Sequence, residues 1–79
     1  MYYVYVLKSK VKDFYYKGFC NDLSVRIKQH NAGMTKSNKA YIPFEIKYYE
    51  TCDTEEEAIK KEKYWKSAAG RRYLKDKIK

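Results

Sequence analysis

The last tyrosine of Tyr3-Val4-Tyr5 and the first of Tyr16-Lys17-Gly18 stand eleven positions apart, and Arg26 follows that glycine by eight. His30 stands four residues beyond Arg26, and Glu62 lies downstream among lysines. Tyr5, Tyr16, Arg26, His30 and Glu62 are side chains of types able to handle a phosphodiester, spread over a hairpin and two helices. Hydrolysis of nucleic acid is the chemistry they suggest, provided the chain can bring them together.

The elements that must position them are readable in outline. Tyr2 to Lys8 and Asp13 to Phe19 share a tyrosine- and valine-rich composition across a short polar break, which predicts an antiparallel hairpin. Ser9 to Lys12 contains neither glycine nor asparagine, so turn type and register stay open. Asn21 or Asp22 can cap a helix from about Leu23 to Ala32, with Gly33 placed to end it in the left-handed region. Met34 to Pro43 reads as an irregular basic loop, and Phe44 to Thr51 alternates as a third strand. Thr54-Glu55-Glu56-Glu57 is a capping box opening a second helix to about Ala68, and Gly70 is expected to separate off a short basic terminal helix ending near Lys77. The fold class expected is α+β: one domain over residues 1–79, a three-stranded antiparallel sheet flanked by helices in ββαβα order.

Composition narrows the function. A chain of 79 residues buries only about 60 to 65% of its unfolded surface, enough for one modest core. With 44% apolar and 18% aromatic residues it is too hydrophobic to be disordered, yet it lacks the roughly 20 consecutive apolar residues of a membrane span. No secretory leader is visible at the N-terminus, so a cytoplasmic location is expected. Cys20, Cys52 and the single histidine cannot make a four-ligand zinc site, which leaves the cysteines a structural role. Lysine and arginine outnumber the acids 18 to 10, and the net charge of +8 calls for an anionic partner, nucleic acid first.

Around the first helix, Leu23, Arg26, Ile27 and His30 follow i, i+3, i+4, i+7 spacing and share one inward stripe, whereas Lys28 points away. An inward guanidinium needs an anion. On the second helix Ala58, Glu62, Trp65 and Ala69 share a stripe, with Ile59 and Lys66 at its flank, so one carboxylate also points inward. An Arg26–Glu62 ion pair would satisfy both groups without any function. A phosphate at Arg26 and a divalent metal at Glu62 would satisfy both with one.

With these residues in place the chain resembles the GIY-YIG nuclease superfamily, notably its small stand-alone bacterial members related to the nuclease domain of the excinuclease C subunit. Tyr3-Val4-Tyr5 corresponds to the first triplet, Tyr3 replacing its glycine, and Tyr16-Lys17-Gly18 to the second. Arg26, His30 and Glu62 match the helix arginine, the histidine or tyrosine one turn later, and the metal-binding glutamate. The resemblance implies a phosphodiester hydrolase in which Arg26 holds phosphate oxygens, Glu62 holds a single Mg²⁺ or Mn²⁺, and Tyr5 or Tyr16 takes the proton of the attacking water. His30 would relay that proton.

Gly18, Lys36, Lys39, Arg71 and Arg72 are the expected nucleic-acid contacts, with DNA the foremost substrate and repair or recombination the implied setting. Little sequence specificity is expected, and targeting would fall to substrate shape or a partner protein. The competing readings are a non-catalytic nucleic-acid-binding module on the same scaffold and a protein-interaction domain.

Overall fold

The computed structural model describes residues 1–33 and 36–78, without the side chains of residues 36–38. Three strands, β1 (Tyr2–Ser9), β2 (Tyr15–Cys20) and β3 (Phe44–Cys52), form one antiparallel sheet in the order β2-β1-β3. Helix α1 (Leu23–Asn31) covers one face, while α2 (Glu55–Lys66) and α3 (Ala68–Lys77) cover the other. The α+β architecture read from the chain is therefore the one observed.

Alternation along central β1 divides the interior into two cores. Val4 and Val6 meet Ala58, Trp65 and Leu74 on the α2–α3 side, and Tyr5 and Leu7 meet Leu23 and Phe44 on the α1 side. Pairing sets Tyr5 opposite Gly18 on β2 and opposite Tyr49 on β3. A register shift against β3 between Val6 and Leu7 pairs Leu7 with Ile46.

The turn type left open by the sequence is set by a buried serine. Ser9 Oγ accepts from the backbone N–H groups of Val11 (3.2 Å) and Lys12 (3.1 Å) and donates to the carbonyl of Tyr41 (2.6 Å). Asp22 caps α1, its carboxylate accepting from Val25 N at 3.2 Å, and Gly33 follows at φ +78°. Thr54 caps α2 by accepting from Glu57 N at 3.2 Å.

Two expectations are corrected here. The described part of the supposed irregular loop contains a short 3₁₀ helix, Lys36–Tyr41. Gly70 does not separate the last two helices; Ser67 does, ending α2 and capping α3 by accepting from Gly70 N at 3.1 Å. Because α2 stops at Lys66, the stripe does not continue to Ala69, which is exposed. Gly70 instead sits inside α3, where an added Cβ would lie 1.8 Å from the Tyr64 carbonyl oxygen. Its smallness allows the α2–α3 corner to close.

One carboxylate ties three elements together. Glu50 on β3 accepts from Tyr48 OH (2.6 Å), from Tyr73 OH of α3 (2.5 Å) and from Lys61 Nζ of α2 (2.7 Å). Burial alone would raise its pKa, but the hydrogen bonds from Lys61, Tyr48 and Tyr73 prevail and hold it at about 2.

Gly70→Ala should lower stability by ~3 kcal/mol, opposite in sign to the gain expected of alanine in an unobstructed helix, and thermal melts decide between the two. The Glu50 contribution is complete above the ordinary carboxylate range and lost as pH falls through about 2. It amounts to ~3 kcal/mol at most, less for its partial exposure, and Glu50→Gln should flatten the acid limb of the stability profile.

Candidate active site

Tyr5 reaches sideways from central β1 across β2, and its ring lies over the backbone of Gly18. A Cβ at Gly18 would meet the Tyr5 oxygen at 2.7 Å and its Cζ at 2.9 Å. Gly18 is itself buried in the middle of β2, so the group brought against its backbone is the Tyr5 ring rather than a substrate. Helix α1 then lowers two side chains onto the phenol. Arg26 Nε donates to the Tyr5 oxygen at 3.4 Å, and the hydroxyl shares a 3.3 Å hydrogen bond with His30 Nε2. The Tyr16 ring stands beside both, its centroid 4.9 Å from that of His30 and 6.4 Å from that of Tyr5.

Burial grades this cluster from floor to mouth. Tyr5 is 0% and His30 1% exposed, whereas Arg26 and Tyr16 are half-buried. Burial drives the Tyr5 phenol up to about 12, against the lowering influence of Arg26. Burial, and then the Arg26 charge, push His30 below the usual imidazole range and keep it neutral. Its Nδ1 is buried with no hydrogen-bond partner among the described residues. The hydrogen bond to Tyr5 raises Arg26 further, so the guanidinium is permanently charged.

Arg26 does not pair with Glu62. Besides Tyr5, its partner is the Gln29 side-chain oxygen, 3.3 Å from Nη1, and among the described residues no carboxylate forms an ion pair with it. Glu62 is half-buried on α2, its Oε1 3.1 Å from Lys66 Nζ. Tyr5 thus gathers Arg26, His30 and Tyr16 around its ring, Tyr16 packs on His30 as well, and Glu62 is not joined to them by a hydrogen bond or ion pair.

As a metal donor, Glu62 offers one hard-oxygen carboxylate, and the described residues contain no group of three or more side chains able to hold an ion. That donor set fits a hard cation that retains most of its water, and Lys66 would compete for the same oxygen.

The remaining expected contacts are dispersed. Lys39 is exposed on the 3₁₀ helix, and the side chain of Lys36 lies outside the described residues. Arg71 and Arg72 are exposed on α3, behind the sheet relative to Tyr5. Two residues that support the site were not foreseen. Gln29, three residues after Arg26, was detectable from helical spacing. Asn31 clamps the end of α1 to β3 by accepting from Phe44 N at 2.7 Å and donating to its carbonyl at 3.2 Å, a long-range contact with no local signal.

Sheet, helix arginine and paired tyrosines together define a nuclease-type domain: the chain belongs to the GIY-YIG family, whose profile, GIY-YIG catalytic domain, matches residues 1–75. Within that family it is similar to small proteins named UPF0213. It is 38% identical over 66 residues to UPF0213 protein YazA of Bacillus subtilis, covering 82% of this chain and 66% of that protein, just under two thirds of its length. UPF0213 protein SSP2268 of Staphylococcus saprophyticus is 35% identical over 75 residues, covering 94% and 90% of the two chains. The solution NMR structure of UPF0213 protein BH0048 from Bacillus halodurans superposes with a TM-score of 0.56 at 30% identity, covering 96% of this chain and 84% of that one. Among the described residues no helix is long and apolar enough to cross a membrane.

Gly18→Ala should displace the Tyr5 ring, costing ~1–3 kcal/mol of stability. The His30 ring resonances should move with it. Unchanged stability and an unchanged His30 spectrum would mean that the strand has room for the methyl group.

Proposed function

We propose that this chain is a metal-dependent endonuclease that hydrolyses phosphodiester bonds in nucleic acid, DNA foremost, with little intrinsic sequence preference. The observation that carries the reading is Arg26: a half-buried guanidinium oriented by a neutral phenol and an amide, with no carboxylate among the described residues to neutralise it. Such a group is prepared for an anion that arrives from outside.

In this mechanism the Arg26 fork holds the non-bridging oxygens and stabilises the charge that grows on them in the transition state. Tyr5 orients Arg26. Its own ionisation at neutral pH would cost several kcal/mol, since burial holds its pKa near 12, and its oxygen is engaged by two neighbours. The proton of the attacking water therefore falls to Tyr16, which reaches the mouth of the site. His30 packs against both rings and holds Tyr5 in place; a relay through it would need an acceptor at Nδ1. Glu62 would hold Mg²⁺ or Mn²⁺, which when bound would supply charge neutralisation at the phosphate and the leaving oxygen.

The Glu62–Lys66 ion pair favours the second reading, a nucleic-acid-binding module in which that carboxylate is merely a lysine's partner. Labelled duplex, branched and single-stranded substrates incubated with Mg²⁺ or Mn²⁺ separate the two. Cleavage should fall by about 10²–10³ in Arg26→Ala, with little recovered by Arg26→Lys, and by about 10²–10⁴ in Tyr16→Phe. It should vanish in Glu62→Ala. Binding without cleavage by the wild-type chain would establish the module instead, and cleavage surviving in Glu62→Ala would remove the assigned site.

A further inference from the structure

Strand β2 points alternate side chains to opposite faces, so Tyr16 and Gly18 stand on the Tyr5 side while Tyr15 and Lys17 stand on the α2–α3 side. On that second side, between β2 and α3, lies a cavity of about 430 Å³. Buried Val6 and Leu74 contribute to its apolar lining, and Lys17, Arg71 and Lys75 supply three cations. No acid lines it among the described residues, and neither Lys17 nor Arg71 forms an ion pair with a described residue. Lys8 adds a fourth cation nearby, its Nζ 5.6 Å from the centroid of the Tyr15 ring.

Like charges gathered around an apolar hollow repel one another, and Lys17 sits where both burial and neighbouring cations disfavour its charge. Burial first, and then the charges of Arg71 and Lys66, push its amino group below the usual lysine range. An anion would relieve the repulsion. A bare phosphate would leave the exposed ring of Tyr15 and the half-buried Ile78 wetted, whereas a ligand with an anionic head and a flat, largely apolar body would match both halves of the lining. The volume falls in the range of small-ligand sites.

We infer that this cavity binds a nucleotide, its phosphate between Lys17, Arg71 and Lys75 and its base against Tyr15, Leu74 and Ile78. The choice of a nucleotide rests on the nuclease reading of the Tyr5 site; the location does not. Since β2 is an edge strand, a nucleic-acid strand rounding that edge would have a terminal nucleotide in the cavity and a phosphodiester on the Tyr16 side.

The test is an amide-resolved NMR titration of the full chain without added metal, using deoxyadenosine monophosphate, a 5′-phosphorylated trideoxynucleotide and inorganic phosphate at matched ionic strength. Saturable shifts at Lys17, Arg71 and Leu74 are expected for both nucleotides. They should weaken about tenfold in Arg71→Gln and in Lys17→Gln, and persist in Arg26→Ala. Arg71 is exposed, so its variant carries the test should Lys17→Gln fold poorly. Tighter binding of the trinucleotide supports a strand end as ligand, and tighter binding of the mononucleotide supports a free nucleotide. Shifts confined to Arg26 and His30, an equal response to inorganic phosphate, or no response at millimolar ligand would each overturn the inference. A chain that cleaves nothing yet shows these shifts would lose the catalytic reading and keep the cavity.

Discussion

The hydroxyl of Tyr5 is the point on which the rest of this molecule turns. It is wholly buried, lies against a backbone that admits no Cβ, and receives Arg26 from one side and His30 from another. Neither partner neutralises the other. Burial keeps the phenol and the imidazole uncharged, so the positive charge of Arg26 is held by dipoles and remains available. A carboxylate in place of the phenol would hold the arginine more strongly and use up its charge.

The opposite face of the sheet is held together by the reverse arrangement. Glu50 is a carboxylate saturated by two phenols and an ammonium, and it joins β3 to both helices of that layer. An anion already paired with three donors of the protein fixes geometry. The molecule thus has one polar cluster closed on itself and another left one anion short, and that difference argues function for Arg26 and structure for Glu50.

Much of this was legible in the chain. Tyrosine and valine enrichment located the hairpin, caps located the starts of α1 and α2, and helical spacing turned Arg26 and His30 inward while leaving Lys28 outside. What was hidden depended on contacts between distant residues. The register follows from Ser9 organising a turn that lacks the usual turn residues and bonding to Tyr41, far along the chain. Gly70 looked like a helix breaker because local sequence cannot report that another backbone passes within reach of its Cα. The opposed pairing of Arg26 with Glu62, plausible on charge alone, failed because Lys66 is one turn from Glu62 on the same helix and reaches it first.

Tyr5 belongs to the strand at the centre of the sheet, hydrogen-bonded on both sides, and its neighbours Val4 and Val6 face the other way. Sliding β1 by a single position would turn valine toward Arg26 and bury the phenol beneath Trp65. The cradle is therefore tied to strand register: it exists only where the β1–β2 pairing sets Tyr5 opposite Gly18 and turns the phenol toward α1.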